Sequence, residues 1–233
     1  MWRNNRYMKL LLGMPSPRNI ERIKASWDKI EEDYIIVKHF KEWTAYQKIR
    51  NYFLENKEYT HLAICPDDLL ITQKDINILK KDIYTYNFPV ICGICNVEPQ
   101  DEYLAICESM PIIGEHKFNF MKRKDIRDVI FRVDHAGFPL QIIRRDIVEK
   151  FDFDSESSII GSDPDAIGNL DLMFSHKCKE NNIPIMIDSR ADMLHLRRSG
   201  IPIFDDPKVR YIEYKRGNLH NFLSGPNGDQ KTC

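Results

Sequence analysis

Short apolar runs and longer amphipathic stripes alternate along the first hundred residues. The apolar runs have the length of buried strands and fall at residues 9–12, 34–37, 62–65 and 88–95. The stripes between them repeat apolar positions every three or four residues, as on one face of a helix, within residues 20–30, 43–53 and 76–83. This alternation is typical of βαβ units. It predicts an α/β fold in which a mostly parallel, mixed sheet is flanked by helices.

Local signals predict where the first elements end and begin. Residues 13–15 (GMP) break the first apolar run, and Ser16 followed by Pro17 has the character of an N-cap and a first helical position. Thr72 and Asp75 resemble a capping box at the start of the helix that follows the third strand. These signals predict a first strand that stops at residue 12 and a capped helix after residue 72.

The second half of the chain is less regular. It predicts a strand at 141–143, a helix at 146–151, a loop at 152–168, a helix with an apolar stripe at 170–178 and a strand at 183–187. No repeat or boundary divides the chain. We therefore expect a single domain over residues 1–223, followed by a flexible polar tail over residues 224–233.

Composition and charge exclude some classes of function. Hydrophobic residues make up 42% of the chain, and 34 basic residues are balanced by 35 acidic ones. A dedicated nucleic-acid binder would show a basic surplus, so we expect no nucleic-acid partner. No apolar run approaches the roughly 20 residues that span a bilayer, so we expect no transmembrane segment.

The cysteines fit a reducing compartment. Cys92 and Cys95 form a C-x-x-C pair inside an apolar run, without the second pair that a zinc site requires. We interpret them as core residues rather than metal ligands or a redox pair. Reduced thiols indicate a cytoplasmic protein.

Candidate chemistry begins with two adjacent carboxylates. Asp67 and Asp68 follow the third strand, at the edge where α/β sheets bind ligands. A hard divalent cation that also grips phosphates would hold two such carboxylates together. The alternative is a polar turn that caps the next helix. Asp171 opens a helix, where a carboxylate ordinarily serves as a partner of the helix dipole. His195 follows a strand, and a single histidine among apolar residues is ordinarily a packing residue. The charge-rich residues 117–132 favour a solvated face over a contact with a charged ligand.

Five segments in order give the chain a resemblance to a known family. They are residues 60–70 (THLAICPDDLL), 88–93 (FPVICG), 133–145 (VDHAGFPLQIIRR), 171–175 (DLMFS) and 185–196 (IMID to LHL). Together they resemble motifs of the inverting glycosyltransferases of the GT-A fold, of the family 2-like kind found as small single-domain proteins. The resemblance extends over residues 8 to 196 and implies a Rossmann-like GT-A fold.

The resemblance also implies a mechanism. Mn²⁺ or Mg²⁺, held by Asp68 with His195 as a second ligand, would bind the diphosphate of a nucleotide-sugar donor and neutralise the leaving group. Asp171 would accept the proton of an acceptor hydroxyl in a single inverting displacement.

Further positions follow from the same resemblance. The nucleotide side would be formed by Met14, Pro15, Arg18, Asp67 and Asp68. Gly137 and Phe138 would line the acceptor side, where a glycine permits close approach of the backbone. The acceptor would be a glycan, a lipid or a protein. The oligomeric state is open, with a homodimer as one alternative.

Two departures from the family pattern leave other functions open. Pro66 occupies the first acidic position of the family's D-D-D pattern, and Leu170 occupies the position of a glutamate before the base. One alternative is therefore a GT-A-like protein that binds a nucleotide or glycan with weakened or no turnover. The other is a nucleotidyltransferase, although no glycine-rich, basic phosphate loop follows the first strand.

Overall fold

The computed structural model describes residues 8–16, 21–40, 42–97, 102–110, 118–153, 170–196, 211–216 and 219–224. The helices are α1 (Glu21–Trp27), α2 (Glu42–Glu55), α3 (Gln73–Tyr86), α4 (Arg145–Lys150) and α5 (Leu170–Glu180). Within these ranges, no helix is both long and apolar enough to cross a bilayer.

Thirteen strands are found in the described residues. The first seven are β1 (Leu10–Ser16), β2 (Asp33–Lys38), β3 (His61–Ile64), β4 (Leu69–Leu70), β5 (Val90–Ile94), β6 (Ile106–Cys107) and β7 (Ile130–Val133). The others are β8 (His135–Ala136), β9 (Gln141–Arg144), β10 (Ile185–Asp192), β11 (Leu194–His195), β12 (Tyr211–Arg216) and β13 (Leu219–Ser224).

Nine of these strands form one mixed sheet in the order β13-β12-β2-β1-β3-β9-β5-β10-β7. Strand β1 is parallel to β2 and β3, and β10 is parallel to β5. Strand β9 lies antiparallel between β3 and β5, so β2, β1, β3, β5 and β10 all run in one direction. The predicted α/β fold, with a mixed sheet flanked by helices, is confirmed.

Two apolar clusters cover the two faces of the sheet. One includes Ile49 and Phe53 of α2 with Phe174 of α5, and the other includes Trp27 of α1 with Leu79 of α3. Successive strand residues point to opposite faces, so each strand contributes to both clusters. The sheet is therefore the middle layer between two sets of helices.

The cysteine interpretation agrees with this layering. Cys92 and Cys95 are buried free thiols that belong to different clusters, on opposite faces of the sheet. They are core residues, as the sequence predicts. Burial raises the pKa of the Cys95 thiol to about 12.

The first strand corrects one sequence prediction. Residues 13–15 do not end it, because β1 runs on through Met14 and Pro15 to Ser16 in parallel register with β2. Helix α2 packs directly on Gly13, where a Cβ atom would lie 2.3 Å from Cγ2 of Ile49, so the glycine serves close packing and does not break the strand. Pro17, the predicted first helical position, lies outside the described residues.

Other elements refine the prediction. The capping box of Thr72 and Asp75 is present at the start of α3. Trp43 is 44% exposed, so it does not share the buried face of α2 with the rest of its predicted stripe.

Strands β12 and β13 have no counterpart in the sequence prediction. Most of the predicted loop and the polar tail lie outside the described residues.

A buried histidine in β8 predicts a pH dependence of stability. His135 is 2% exposed, with Nδ1 3.2 Å from Oγ of Ser175, and burial lowers its pKa to about 4. The unfolded chain takes up this proton near pH 6.5. The contribution of the neutral His135 side chain to the free energy of unfolding is therefore complete above pH 6.5, and it is lost as the pH falls towards 4.

Chemical denaturation of wild type and His135→Gln at several pH values measures this effect. Between pH 7 and pH 5 we expect the wild type to lose about 2 kcal/mol of unfolding free energy more than the variant does. Parallel stability curves for the two proteins would show that His135 does not titrate as described.

Candidate functional site

The carboxylate pair lies in a turn that two very short strands hold in place. Asp67 and Asp68 form the turn between β3 and β4. Strand β4 pairs antiparallel with β11, which places Leu69 opposite His195. The backbone N–H of Leu196 also donates to the carbonyl of Asp68 at 2.7 Å. This pairing joins the end of β3 to the segment after β10.

The pairing brings His195 onto Asp68. Nε2 of His195 lies 3.3 Å from Oδ2 of Asp68, and both side chains are mostly buried. Nδ1 of His195 lies 3.0 Å from the backbone carbonyl of Asn96. Burial lowers the pKa of His195, but the hydrogen bond to Asp68 and its charge outweigh burial, so the net pKa is raised. The imidazole is thus fixed from both sides.

This geometry suits a metal ion. A metal ion would replace the proton that Nε2 shares with Asp68, because a histidine whose Nδ1–H donates to a carbonyl binds a metal through the lone pair of Nε2. Two ligands bound about 2.1 Å from one ion at angles of 90° to 110° lie about 3.0–3.4 Å apart. The Asp68–His195 separation of 3.3 Å falls in this range, and it is also the length of the direct ion pair that these two side chains make here. Among the described residues, no group of three or more such side chains is placed to hold an ion.

Asp67 faces the end of β1 instead. It is 1% exposed, and Oγ of Ser16 donates to its Oδ2 at 3.4 Å. Ser16 follows Met14 and Pro15, which are buried in the same strand. Three of the predicted donor-side residues therefore lie near one another at the carboxyl ends of β1 and β3; they are Met14, Pro15 and Asp67. Arg18 lies outside the described residues.

A row of small residues connects the Asp68 side of the site to Asp171. The bridge of Asn96 to Leu104 sets Cys95 opposite Ala105, and the pairing of β6 with β8 sets Ala105 opposite Gly137. Directly opposed residues point to the same face. Cys95, whose thiol pKa is raised in part by the charge of Asp68, is therefore at one end of a row that ends at Gly137.

Asp171 stands at the Gly137 end of this row. A Cβ atom at Gly137 would lie 3.3 Å from Oδ2 of Asp171. Oδ1 of Asp171 accepts from the N–H of Leu172 at 2.7 Å, in the first turn of α5. Two strand spacings separate Cys95 from Gly137, about 10 Å. The row thus has the Asp68–His195 pair near one end and a carboxylate at the other.

Phe138 has a structural role. Its side chain is 2% exposed and packs among the rings of Tyr46, Phe153 and Phe174. Its backbone adopts a left-handed conformation with φ of 52°. The side chain anchors the turn after Gly137 in the core, and its predicted place on the acceptor side stays a prediction.

Three polar residues near His195 were not predicted from the sequence. Arg123 donates from Nη1 and Nη2 to the two carboxylate oxygens of Asp192, at 2.6 and 3.1 Å. Nη2 also donates to Oδ1 of Asn96 at 2.7 Å. Arg123 belongs to the charge-rich run interpreted as a solvated face, and nothing in its local pattern indicates these partners.

Comparisons with known proteins address the fold. The chain is similar to A197 from STIV, with a TM-score of 0.52 and 18% identity over 95% of this chain and 92% of that chain. It is also similar to the mannosyltransferase PcManGT from Pyrobaculum calidifontis, solved with GDP-Man and Mn²⁺ (TM-score 0.46, 10% identity, 84% and 59% covered). A third similar structure is the inositol-1-phosphate CTP transferase from T. maritima, with a TM-score of 0.43 and 10% identity over 84% of this chain and 91% of that chain.

These likenesses concern the fold alone, because all three identities are low. No protein-family model matches the chain, and no curated protein matches it in sequence at a significant level. The second and third proteins are transferases by their descriptions.

The fit of Asp68 and His195 to one ion predicts metal binding. Asp68→Asn and His195→Ala should each weaken Mn²⁺ binding at least tenfold, because each removes one ligand. Free Mn²⁺ measured by electron paramagnetic resonance during a titration gives the affinity. His176→Ala is the matched control, since His176 lies on α5 beside Glu180 and away from Asp68. Equal affinities for wild type and His195→Ala would contradict the assignment.

Proposed function

We propose that the protein is a metal-dependent glycosyltransferase that moves a sugar from a nucleotide-diphosphate donor to an acceptor hydroxyl with inversion. The observation that carries the proposal is the arrangement of Asp68, His195 and Asp171. An aspartate–histidine pair of metal-ligand geometry lies near one end of a row of small side chains, and a carboxylate lies at the other. Each end of the row would then have its own chemical role.

The donor end holds the leaving group. Asp68 and His195 would bind Mn²⁺ or Mg²⁺ together with diphosphate oxygens, as is usual for ions that bind nucleotides through few protein ligands. When bound, the ion neutralises charge on the departing diphosphate. Asp67, fixed to Ser16 at the end of β1, extends this side towards Met14 and Pro15, where the nucleotide would lie.

The acceptor end takes up a proton. Asp171 is held by the N–H of Leu172 through Oδ1, while Oδ2 lies over Gly137. Oδ2 would accept the proton of the acceptor hydroxyl as that oxygen attacks the anomeric carbon. The transferred sugar would lie along this row of about 10 Å, between the leaving oxygen and the base. Attack from the face opposite to the leaving group inverts the anomeric centre.

The second candidate function is a GT-A-like protein that binds a nucleotide or glycan without turnover. Its supporting observation is Leu170, which is 7% exposed and packs in the core. The position before Asp171 therefore serves the core instead of adding a second carboxylate beside the base. A nucleotidyltransferase would instead consume a nucleoside triphosphate and a sugar phosphate.

A turnover assay separates these candidates. With Mn²⁺ and a panel of nucleotide sugars, we expect release of one nucleoside diphosphate, and Asp171→Asn should lower kcat at least 100-fold because it removes the base. Binding of the diphosphate, measured by thermal shift, should be unchanged in this variant.

Two results would redirect the assignment. Diphosphate binding without release from any nucleotide sugar favours the binding protein. Pyrophosphate release from a nucleoside triphosphate and a sugar phosphate favours the nucleotidyltransferase.

The close approach of Gly137 to Asp171 gives a second test. In Gly137→Ala the new methyl group would lie 3.3 Å from both Oδ2 of Asp171 and the carbonyl of Ala105, closer than a comfortable contact. We expect the transfer rate to fall about threefold to tenfold, because the methyl group would shift the base by a few tenths of an ångström and a misplacement of about 1 Å can lower a rate about 100-fold. Diphosphate affinity should stay within twofold. A variant with the full transfer rate would show that the row does not position the base.

A further inference from the structure

An open cavity adjoins His195 on the side away from β1. Among the described residues it has a volume of about 260 Å³ and lies between the ends of β5 and β10 and the turn that carries Arg123. Its lining residues are Asn96, Arg123, Asp192, Met193, Leu194 and His195. This volume is slightly below the usual range for drug-sized ligands and suits a single small polar unit.

The polar groups of the cavity are arranged for hydrogen bonding. Arg123 bridges Asp192 and Asn96, so a guanidinium, a carboxylate and an amide adjoin one another. The side chains of Arg123 and Asp192 are 40% and 45% exposed, so both remain accessible to a ligand. A carboxylate in a bidentate pair still has acceptor sites for further hydrogen bonds. Donors and acceptors are thus presented together.

The charge balance decides which ligand this cavity suits. The bidentate contact with Asp192 neutralises the charge of Arg123. A phosphate site needs a surplus of positive charge or of donors, whereas this set includes a carboxylate that would repel an anion. A neutral ligand with adjacent hydroxyl groups uses both kinds of group, because each hydroxyl donates one hydrogen bond and accepts others.

We propose that this cavity binds a pair of neighbouring hydroxyl groups on a monosaccharide unit, with Asp192 as acceptor and Arg123 and Asn96 as donors. The inference rests on the proposed function for the source of that unit, which is either the transferred sugar or the terminal sugar of the acceptor. Asp192 and Arg123 would then determine which sugar binds beside His195.

The test uses the full chain with Mn²⁺ and methyl glycosides of glucose, galactose, mannose and N-acetylglucosamine. Saturation-transfer NMR reports whether each free glycoside binds, without any nucleotide. Wild type should bind at least one of them, and Asp192→Asn should bind it at least tenfold more weakly. Asp146→Asn is the matched control, because Asp146 makes a similar bidentate pair with Arg144 away from the cavity. If Asp192→Asn does not fold, Arg123→Gln decides by the same criterion.

A second measurement distinguishes the two sources of the sugar. Calorimetry compares a nucleotide sugar with its nucleoside diphosphate. If the cavity holds the transferred sugar, Asp192→Asn abolishes the affinity difference between the two; if it holds the acceptor, the difference persists while glycoside binding is lost.

Either of these results supports the inference. It is overturned if no glycoside binds wild type, or if Asp192→Asn binds as Asp146→Asn does. Glycoside binding that depends on Asp192, in a chain that binds no nucleotide, would uphold this cavity and remove the proposed function.

Discussion

The pairing of β4 with β11 is the contact on which the site depends. Each strand has two residues, yet their ladder and the bond from Leu196 to Asp68 fix the turn after β3 against the segment after β10. Without this contact, Asp68 and His195 would belong to two separate loops at the sheet edge. With it, a carboxylate and an imidazole are 3.3 Å apart, and the backbone of Asn96 orients the imidazole.

Strand register extends this arrangement to the acceptor end. The antiparallel steps from the end of β5 to β6 and from β6 to β8 preserve the facing of side chains, so Cys95, Ala105 and Gly137 all point the same way. A shift of one residue at either step would turn Gly137 to the other face and away from Asp171. The side chain is small or absent at all three positions.

The sequence predicts what is encoded locally. The strand and helix pattern of the first hundred residues, the capping box at Thr72 and the placement of Asp67 and Asp68 after a buried strand follow from periodicity and short motifs. The predicted end of β1 was wrong, because pairing with β2 continues the strand to Ser16 and the glycine accommodates Ile49 of α2; both are non-local contacts.

The rest of the site depends on contacts between distant segments. The resemblance named Asp171 and His195, but no local pattern shows that β11 pairs with β4 or that Gly137 lies against Asp171. The contacts of Arg123 are also non-local, since its partners Asn96 and Asp192 come from two other segments. Strand pairing between segments far apart in the chain is what local patterns do not contain.

X-ray diffraction from crystals grown with Mn²⁺ and recorded at the manganese absorption edge would show directly whether Asp68 and His195 bind one ion. We expect one anomalous peak within about 2.0–2.3 Å of both a carboxylate oxygen of Asp68 and Nε2 of His195. Crystals that show manganese bound elsewhere on the chain, with no peak between these two side chains, would contradict it.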